Sequence, residues 1–381
     1  MQFNGNKTAK RCAFGILILI VAVLAAATIV EKFQGTDFVS KIIYGSWWFV
    51  ALWYVFAITS FIYIISGVLY RNITAFIMHI AFGIILFGAF ITFLTAQRGY
   101  MHIRQGETSD TYVSEKDETS CWLPFDVKLV LFDIEYHPDT YEPADFISFL
   151  KIDNEICRVS MNKIYSHKGY RFYQADYDSD EMGTVLMINR DPLGIAITYT
   201  GYFLLTLSML IILWIKLRWR IFYIFVSLVC LWYYISQLNP MTPVLRSPML
   251  AAHVSVIMLS YALFVFIAAT SLVGILSKRL RNRFYSWNRT LLYPALFMLA
   301  AGIFIGAVWA NISWGRYWGW DAKETWALIT MLVYAIPMHK NSFKIFRHPL
   351  IFHRYCACAF LAVAVTFFGV SYILGGIHSY I

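Results

Sequence analysis

Four histidines and one tryptophan-rich stretch hold the residue types most capable of chemistry in this sequence. The stretch runs from Trp309 to Trp326, WANISWGRYWGWDAKETW, and puts five tryptophans, a tyrosine, two acids and two bases into eighteen residues. Tryptophan and tyrosine gather at membrane interfaces, but a girdle needs only scattered rings. Here Trp314, Tyr317, Trp318 and Trp320 crowd one glycine-containing loop, which suits a flat aromatic ligand. His253 opens an apolar run after SPMLAA, and His378 follows another in GGIHSY. His79 lies a few residues into a third run, roughly 6 to 8 Å deep at about 1.5 Å per residue, and His339 ends a fourth. One such histidine alone is equally a helix–helix hydrogen-bonding residue. Two level pairs match what haem iron takes, a neutral imidazole on each face.

The elements that must position these residues are membrane helices. With 59% hydrophobic and only 14% charged residues, and several apolar runs near the roughly 20 residues that cross a bilayer, no soluble class fits. Nine spans are predicted, at about 12–30, 47–69, 75–96, 194–215, 220–238, 251–274, 290–310, 325–339 and 352–374. The first resembles a signal peptide but lacks a convincing small-residue cleavage site and is read as an uncleaved helix. The net charge of +9 points to topology rather than to nucleic acid. With the N-terminus cytoplasmic, sixteen lysines and arginines fall in the inner loops. The short loops opposite hold five, Lys32, Lys41, Arg246, Arg316 and Lys323, as the positive-inside rule requires. The tryptophan loop and the C-terminus then face outward.

One long polar insert, about 97–192, lies on that outer side. In FDVKLVLFDI, Phe125, Val127, Leu129 and Leu131 alternate with polar neighbours, the period of a half-buried strand. Ile147–Ile152 and Thr184–Ile188 read similarly. The fold class expected is an all-α polytopic membrane protein of about nine transmembrane helices with a small β-rich extracytoplasmic domain. The six cysteines fit no metal or haem-attachment spacing. Cys121 and Cys157 share the outer domain, where a disulfide is possible, and Cys356 and Cys358 read as small core residues. His348 and His353 are assigned to the basic inner loop, and His102, His137 and His167 to the polar domain, none as a ligand.

The run WGRYWGWDAKETWALI resembles the tryptophan-rich WWD signature of haem-handling membrane proteins. With SPMLAAHVSVIMLSYA and GGIHSY, its flanks resemble the CcsA (ResC) half of system II cytochrome c synthases. Upstream, GYRFYQADY and NRDPLGIAITYTGYFLL resemble the CcsB (ResB) half. Nearly the whole chain therefore resembles a fused CcsBA protein. The division implied is a CcsB-like three-helix part over 1–96, the β-rich domain over 97–193 and a fourth CcsB-like helix with a linking span over 194–238. A CcsA-like domain follows over 239–381, its WWD loop at 309–326. Two departures stand out: Ala322 follows the motif aspartate where the family commonly has proline, and the CcsB-like soluble part is short.

The resemblance implies cytochrome c biogenesis in the bacterial inner (cytoplasmic) membrane: haem b carried from the inner to the outer side and joined through its vinyl groups to the thiols of C-x-x-C-H in an apocytochrome c. That makes the chain a holocytochrome c synthase, a haem lyase. It implies His253 and His378 as axial ligands outside and His79 and His339 as axial ligands inside. Trp314, Trp318 and Trp320 offer stacking faces and N–H donors, and Arg316, Lys323 and Arg246 suit the propionates. Asp321 and Glu324 pair with those bases, or Asp321 orients an imidazole. Thiol-reducing proteins and lipid are the further partners expected. An exporter or chaperone handing haem to a separate synthase is the alternative, with a b-type electron-transfer subunit a third class.

Overall fold

A computed structural model describes residues 5–66, 72–161 apart from 138, 140 and 142, 163–217 and 247–374, with isolated positions between 223 and 230. Three helices come first: α1 (Gly5–Gln34), α2 (Trp47–Ser66) and α3 (Ile73–Thr95), with a short helical turn and π-helical Ser40–Tyr44 between α1 and α2. Eight strands follow: β1 (Gln97–Arg104), β2 (Thr108–Ser114), β3 (Ser120–Tyr136), β4 (Pro143–Ile152), β5 (Glu155–Ser160), β6 (Tyr165–His167), β7 (Tyr170–Tyr177) and β8 (Gly183–Arg190). Then come α4 (Pro192–Lys216), α5 (Pro248–Leu276), α6 (Lys278–Trp314), α7 (Ala322–Ala335) and α8 (Pro349–Ala364), the last continued by a π-helical stretch to Leu374.

The all-α reading with about nine spans does not hold. Among the described residues 67% are helix and 20% strand, and the strands form a single eight-stranded antiparallel sheet in the order β5-β4-β3-β2-β1-β8-β7-β6. Among the described residues seven helices are long and apolar enough to cross a membrane. The predicted span at 220–238 falls almost wholly outside the described residues. The one at 325–339 is a 14-residue helix, α7, ending in a 3₁₀ turn at His339. At about 1.5 Å per residue α7 covers roughly 21 Å, short of the ~30 Å hydrocarbon layer.

The sheet forms because its strands alternate. Phe125, Val127 and Leu129 on β3 are buried beside Met101, Ile103, Leu150, Ile152, Phe172, Leu186 and Ile188. The alternation breaks at Leu131, which is 42% exposed, while Phe132 is buried. A bulge between Leu129 and Leu131 against β4 adds one residue and turns the remaining side chains over. Cys121 and Cys157 are both free thiols. Burial pushes the Cys157 thiol up to about 11, so it stays protonated near neutral pH and lacks the nucleophilic thiolate. Intact protein treated with iodoacetamide at pH 8 should leave Cys157 unmodified in peptide mass spectra, and the urea-unfolded chain should not.

The sheet is spliced into the bundle by α3 and α4. Asp191 caps α4 by accepting from the Gly194 N–H at 3.1 Å, with Pro192 at the first helical position, a start pre-organised for a helix. Thr92 on α3 donates to the other Asp191 oxygen at 2.7 Å. The helices touch backbone to backbone at Gly88, where a Cβ would sit 2.7 Å from the Thr198 nitrogen. Small residues of this kind let membrane helices pack without a hydrophobic driving force. The sheet and the loop joining α6 to α7 occupy one end of the bundle, and the N-termini of α1, α3 and α8 the other.

Candidate functional site

At the end away from the sheet, α3 and the turn after α7 bring two histidines together. The His79 and His339 rings lie 5.8 Å apart, nearly perpendicular. An iron between two imidazoles, with metal–nitrogen bonds of about 2 Å, sets ring centres roughly 6 Å apart. Each ring is oriented by its own backbone. The N–H at His79 Nδ1 donates to the Ala75 carbonyl at 2.7 Å, and that at His339 Nδ1 to the Ala335 carbonyl at 2.9 Å. A carbonyl can only accept, so Nδ1 carries the proton and Nε2 holds the lone pair in each neutral ring. A hydrogen bond from the other ring nitrogen to a backbone carbonyl fixes metal-binding imidazoles in this way. Phe14 on α1 meets His339 edge-on at 5.7 Å. Tyr63 and Lys10 both bond Ser342, which pins α1 and α2 over the turn bearing His339.

His253 lies on the first turns of α5. Its Nδ1–H donates to the Gly302 carbonyl on α6 at 2.7 Å, which again leaves the lone pair on Nε2. Gly306 makes room for the ring: a Cβ there would fall 2.5 Å from its Cε1 and Nδ1. His378 and Arg246, the other outer residues expected, lie outside the described residues.

The tryptophans of the loop do different things. Trp320 adopts φ +57°, the left-handed region a bulky residue rarely occupies. It stacks on Tyr44 at 4.7 Å and meets Phe49 edge-on at 5.3 Å, so one ring face is taken by the segment between α1 and α2. Trp318 meets Trp320 edge-on at 5.7 Å, and its buried indole N–H finds no hydrogen-bond partner among the described residues. Trp314, half-buried at the end of α6, lies edge-on to Trp309 at 4.7 Å. Backbone held off its preferred regions clusters at ligand sites, and a buried unpaired donor calls for an acceptor.

Asp321 proves to be the N-cap of α7, accepting from the Lys323 N–H at 2.8 Å, while Glu324 reaches back to the Gly319 N–H at 2.8 Å. This is the logic of a capping box. Ala322 is thus the first helical residue, a position that proline fits but does not have to fill, which accounts for its tolerance. Burial pushes the Lys323 ammonium down, against the pull of Asp321, and the Arg316 guanidinium lies over Gly319. Asp321→Ala should cost about 1 kcal/mol of stability, the usual value of such a cap, seen as a lower melting temperature. An unchanged melting temperature would show that the cap does not stabilise α7.

A second set of residues escaped the sequence reading. Asn189 on β8 donates through its amide to the Gly315 carbonyl. Arg171 on β7 donates to Asn311 Oδ1 at 3.0 Å, and the Tyr173 hydroxyl to the Asn311 carbonyl at 3.2 Å. Tyr317 is buried, its hydroxyl within 2.8 Å of Thr92 Oγ1 and 3.4 Å of Thr198 Oγ1. The start of the loop is therefore bolted to the sheet and to α3 and α4. The sequence signal was present in GYRFYQADY, where Arg171 and Tyr173 share one strand face. Their target 140 residues away was not legible. His353, assigned to the basic inner loop, lies instead in α8 and is buried, bonding the Arg281 carbonyl at 3.0 Å through Nε2 and Ser271 at 3.3 Å through Nδ1.

Residues 67–199 match the ResB-like family, and residues 193–378 match the cytochrome C assembly protein family. The protein NrfI of Wolinella succinogenes is 36% identical over 162 residues, 39% of this chain and 18% of NrfI. The cytochrome c biogenesis protein CcsA of Chlamydomonas reinhardtii is 36% identical over 158 residues, 38% of this chain and 44% of that protein. CcsA of a Synechococcus strain is 34% identical over 179 residues, 37% of this chain and 58% of that protein. Each match spans less than two thirds of the relative's own length.

Proposed function

We propose, from the premise that this chain joins a ResB-like and a cytochrome c assembly segment as a fused CcsBA system II protein does, that it moves haem through the membrane. At the sheet end, it joins haem to an apocytochrome. The chain is a multi-pass membrane protein of the cytochrome c maturation family; transport, attachment and orientation are the finer reading. The observation that carries it is the pairing of His79 with His339, at the spacing of two axial ligands, each ring held by a carbonyl in the tautomer that presents Nε2.

Haem b is the substrate in this reading. His79 and His339 hold it at the inner end, and His253 with His378 at the outer end, beside the tryptophan loop. At the outer end Trp314 and the Trp318 N–H face the ligand, and Arg316 and Lys323 meet its carboxylates. Trp320, stacked on Tyr44, holds the loop in shape. Two thiols of a C-x-x-C-H segment add across the two vinyl groups, each S–H supplying the sulfur to one carbon and the proton to its neighbour. Neither bond needs an oxidant. The chain's contribution is proximity: rigid placement of a vinyl edge against an incoming thiol replaces a bimolecular encounter. The apocytochrome's own histidine then replaces one outer ligand and draws the product away.

The test is a haem spectrum of the purified protein. His253→Ala should remove the outer share of bound haem and the covalent product while leaving an inner bis-histidine spectrum. If haem content and cytochrome maturation both stay at the parent level, the outer assignment fails.

A further inference from the structure

The end of the bundle that bears His79 and His339 has an unusual charge composition. The chain contains no Asp or Glu between residues 38 and 106, between 192 and 320, or from 325 to 381, and its first acid is Glu31. Every segment exposed at that end is therefore basic or neutral. Topology rules ask for lysine and arginine there but place almost no constraint on acids, so they do not explain this one-signed surface.

Four of these cations converge. Lys340 directly follows His339. The Lys216 ammonium, at the end of α4, lies 5.9 Å from the Tyr293 ring on α6. One turn along α6, the Arg289 guanidinium lies over the Tyr285 ring at 5.4 Å. Tyr285 in turn donates to the Phe346 carbonyl at 3.0 Å, which brings in Arg347, bonded to Asn341 Oδ1 at 3.2 Å. Asn341, the acceptor for Arg347, is the residue after Lys340, so Arg289, Arg347 and Lys340 gather around the turn that follows His339, with Lys216 reaching Tyr293 one turn along α6. None of them forms an ion pair among the described residues. Like charges gathered beside a partly buried ammonium cost free energy. An anion entering from outside the chain would repay it.

We propose that Lys216, Arg289, Lys340 and Arg347 form a carboxylate-binding rim to the inner histidine pair, gripping the two propionates of haem as its iron reaches His79 and His339. This rests on the haem reading above and adds what selects and orients the ligand there. The porphyrin has both carboxylates on one edge, so a cationic rim on one side of the ligand pair fixes which edge faces the aqueous phase. The partner is thus a dianionic porphyrin, and the rim discriminates by charge, whereas the histidines discriminate by metal. The cations are rim groups and not axial ligands, so removing them should change affinity and leave coordination intact.

The experiment uses the full-length His253→Ala protein, in detergent and in phosphatidylcholine vesicles, titrated with haem and with haem dimethyl ester, which keeps the iron but loses both charges. Haem should bind at least roughly tenfold more tightly than the ester, the scale of one lost charge-assisted bond, with the same bis-histidine spectrum for both. Arg289→Gln with Lys340→Gln should abolish that preference by weakening haem alone, and the unchanged ester spectrum would show that the variant is folded. Equal affinity of the parent for the two porphyrins overturns the rim. If the double variant keeps the haem preference but loses retention in phosphatidylglycerol vesicles, the cations serve lipid headgroups and the proposal is wrong. If neither porphyrin gives a bis-histidine spectrum, the inner haem site itself fails and the rim with it.

Discussion

His339→Ala is expected to abolish the bis-histidine haem spectrum of the inner site and to empty the outer site during synthesis in cells. Two axial bonds hold the iron in the proposed site, and among the described residues no third His, Cys, Asp or Glu joins this pair to take the place of either. Phe14 packs edge-on to His339, so the cavity left by alanine is walled by an aromatic ring. Loss of one nitrogen ligand commonly costs a site 10-fold or far more in affinity, as even changing a residue hydrogen-bonded to a ligand costs about 10- to 100-fold. The protein should still fold: His339 ends a one-turn 3₁₀ segment, its ring donates to the Ala335 carbonyl just before that segment, and its own carbonyl accepts from the Ser342 and Phe343 N–H groups through backbone that alanine keeps. Addition of imidazole should restore the spectrum by filling the vacated position. Normal haem at the outer site in His339→Ala protein would show that haem does not pass the inner pair.

Gly315→Val is the second large effect, and it separates the two ends. Gly315 ends α6 with φ +74°, in the left-handed region where a β-branched residue is strained. A Cβ there would lie 2.7 Å from the Tyr173 ring, and the Gly315 carbonyl is held by Asn189. Strain of ~1–2 kcal/mol for the backbone adds to the displacement of a ring packed between sheet and helix. The loop should part from the sheet, with maturation lost and the inner haem spectrum retained. Tyr173→Phe is the mild comparison, removing only the bond to the Asn311 carbonyl, worth about 1 kcal/mol. Parent-level maturation in Gly315→Val would show that the loop does not depend on its seat against the sheet.

Periodicity was legible in the sequence and tertiary reach was not. Alternation located β3, β4 and β8 because one face of each strand is buried. It misassigned Leu131 because a bulge cannot be read from hydropathy. Apolar length located the long helices but overstated α7, whose apolar run continues past Ala335 into a 3₁₀ turn. The pairing of His79 with His339 was legible because both depth and side follow from the spans that carry them. The seat of the tryptophan loop was not. Arg171, Tyr173 and Asn189 are ordinary strand residues until the fold sets them beside Asn311 and Gly315. The role of Asp321 was left open between ion pairing and orienting an imidazole, and its cap on α7 depends on where that helix begins. Trp320 shows the same limit: composition marks it as a stacking ring, and packing stacks it on Tyr44.

In the proposed function one chain both carries haem and attaches it. This is tested most directly by coexpressing the full-length protein with an apocytochrome bearing C-x-x-C-H, in a bacterial host lacking other cytochrome c maturation machinery. Haem retained by the apocytochrome after denaturation and acid–acetone extraction, with a mass increase of one haem, is the predicted result. Haem bound to the membrane protein but absent from the denatured apocytochrome would contradict the synthase reading and favour an exporter or chaperone.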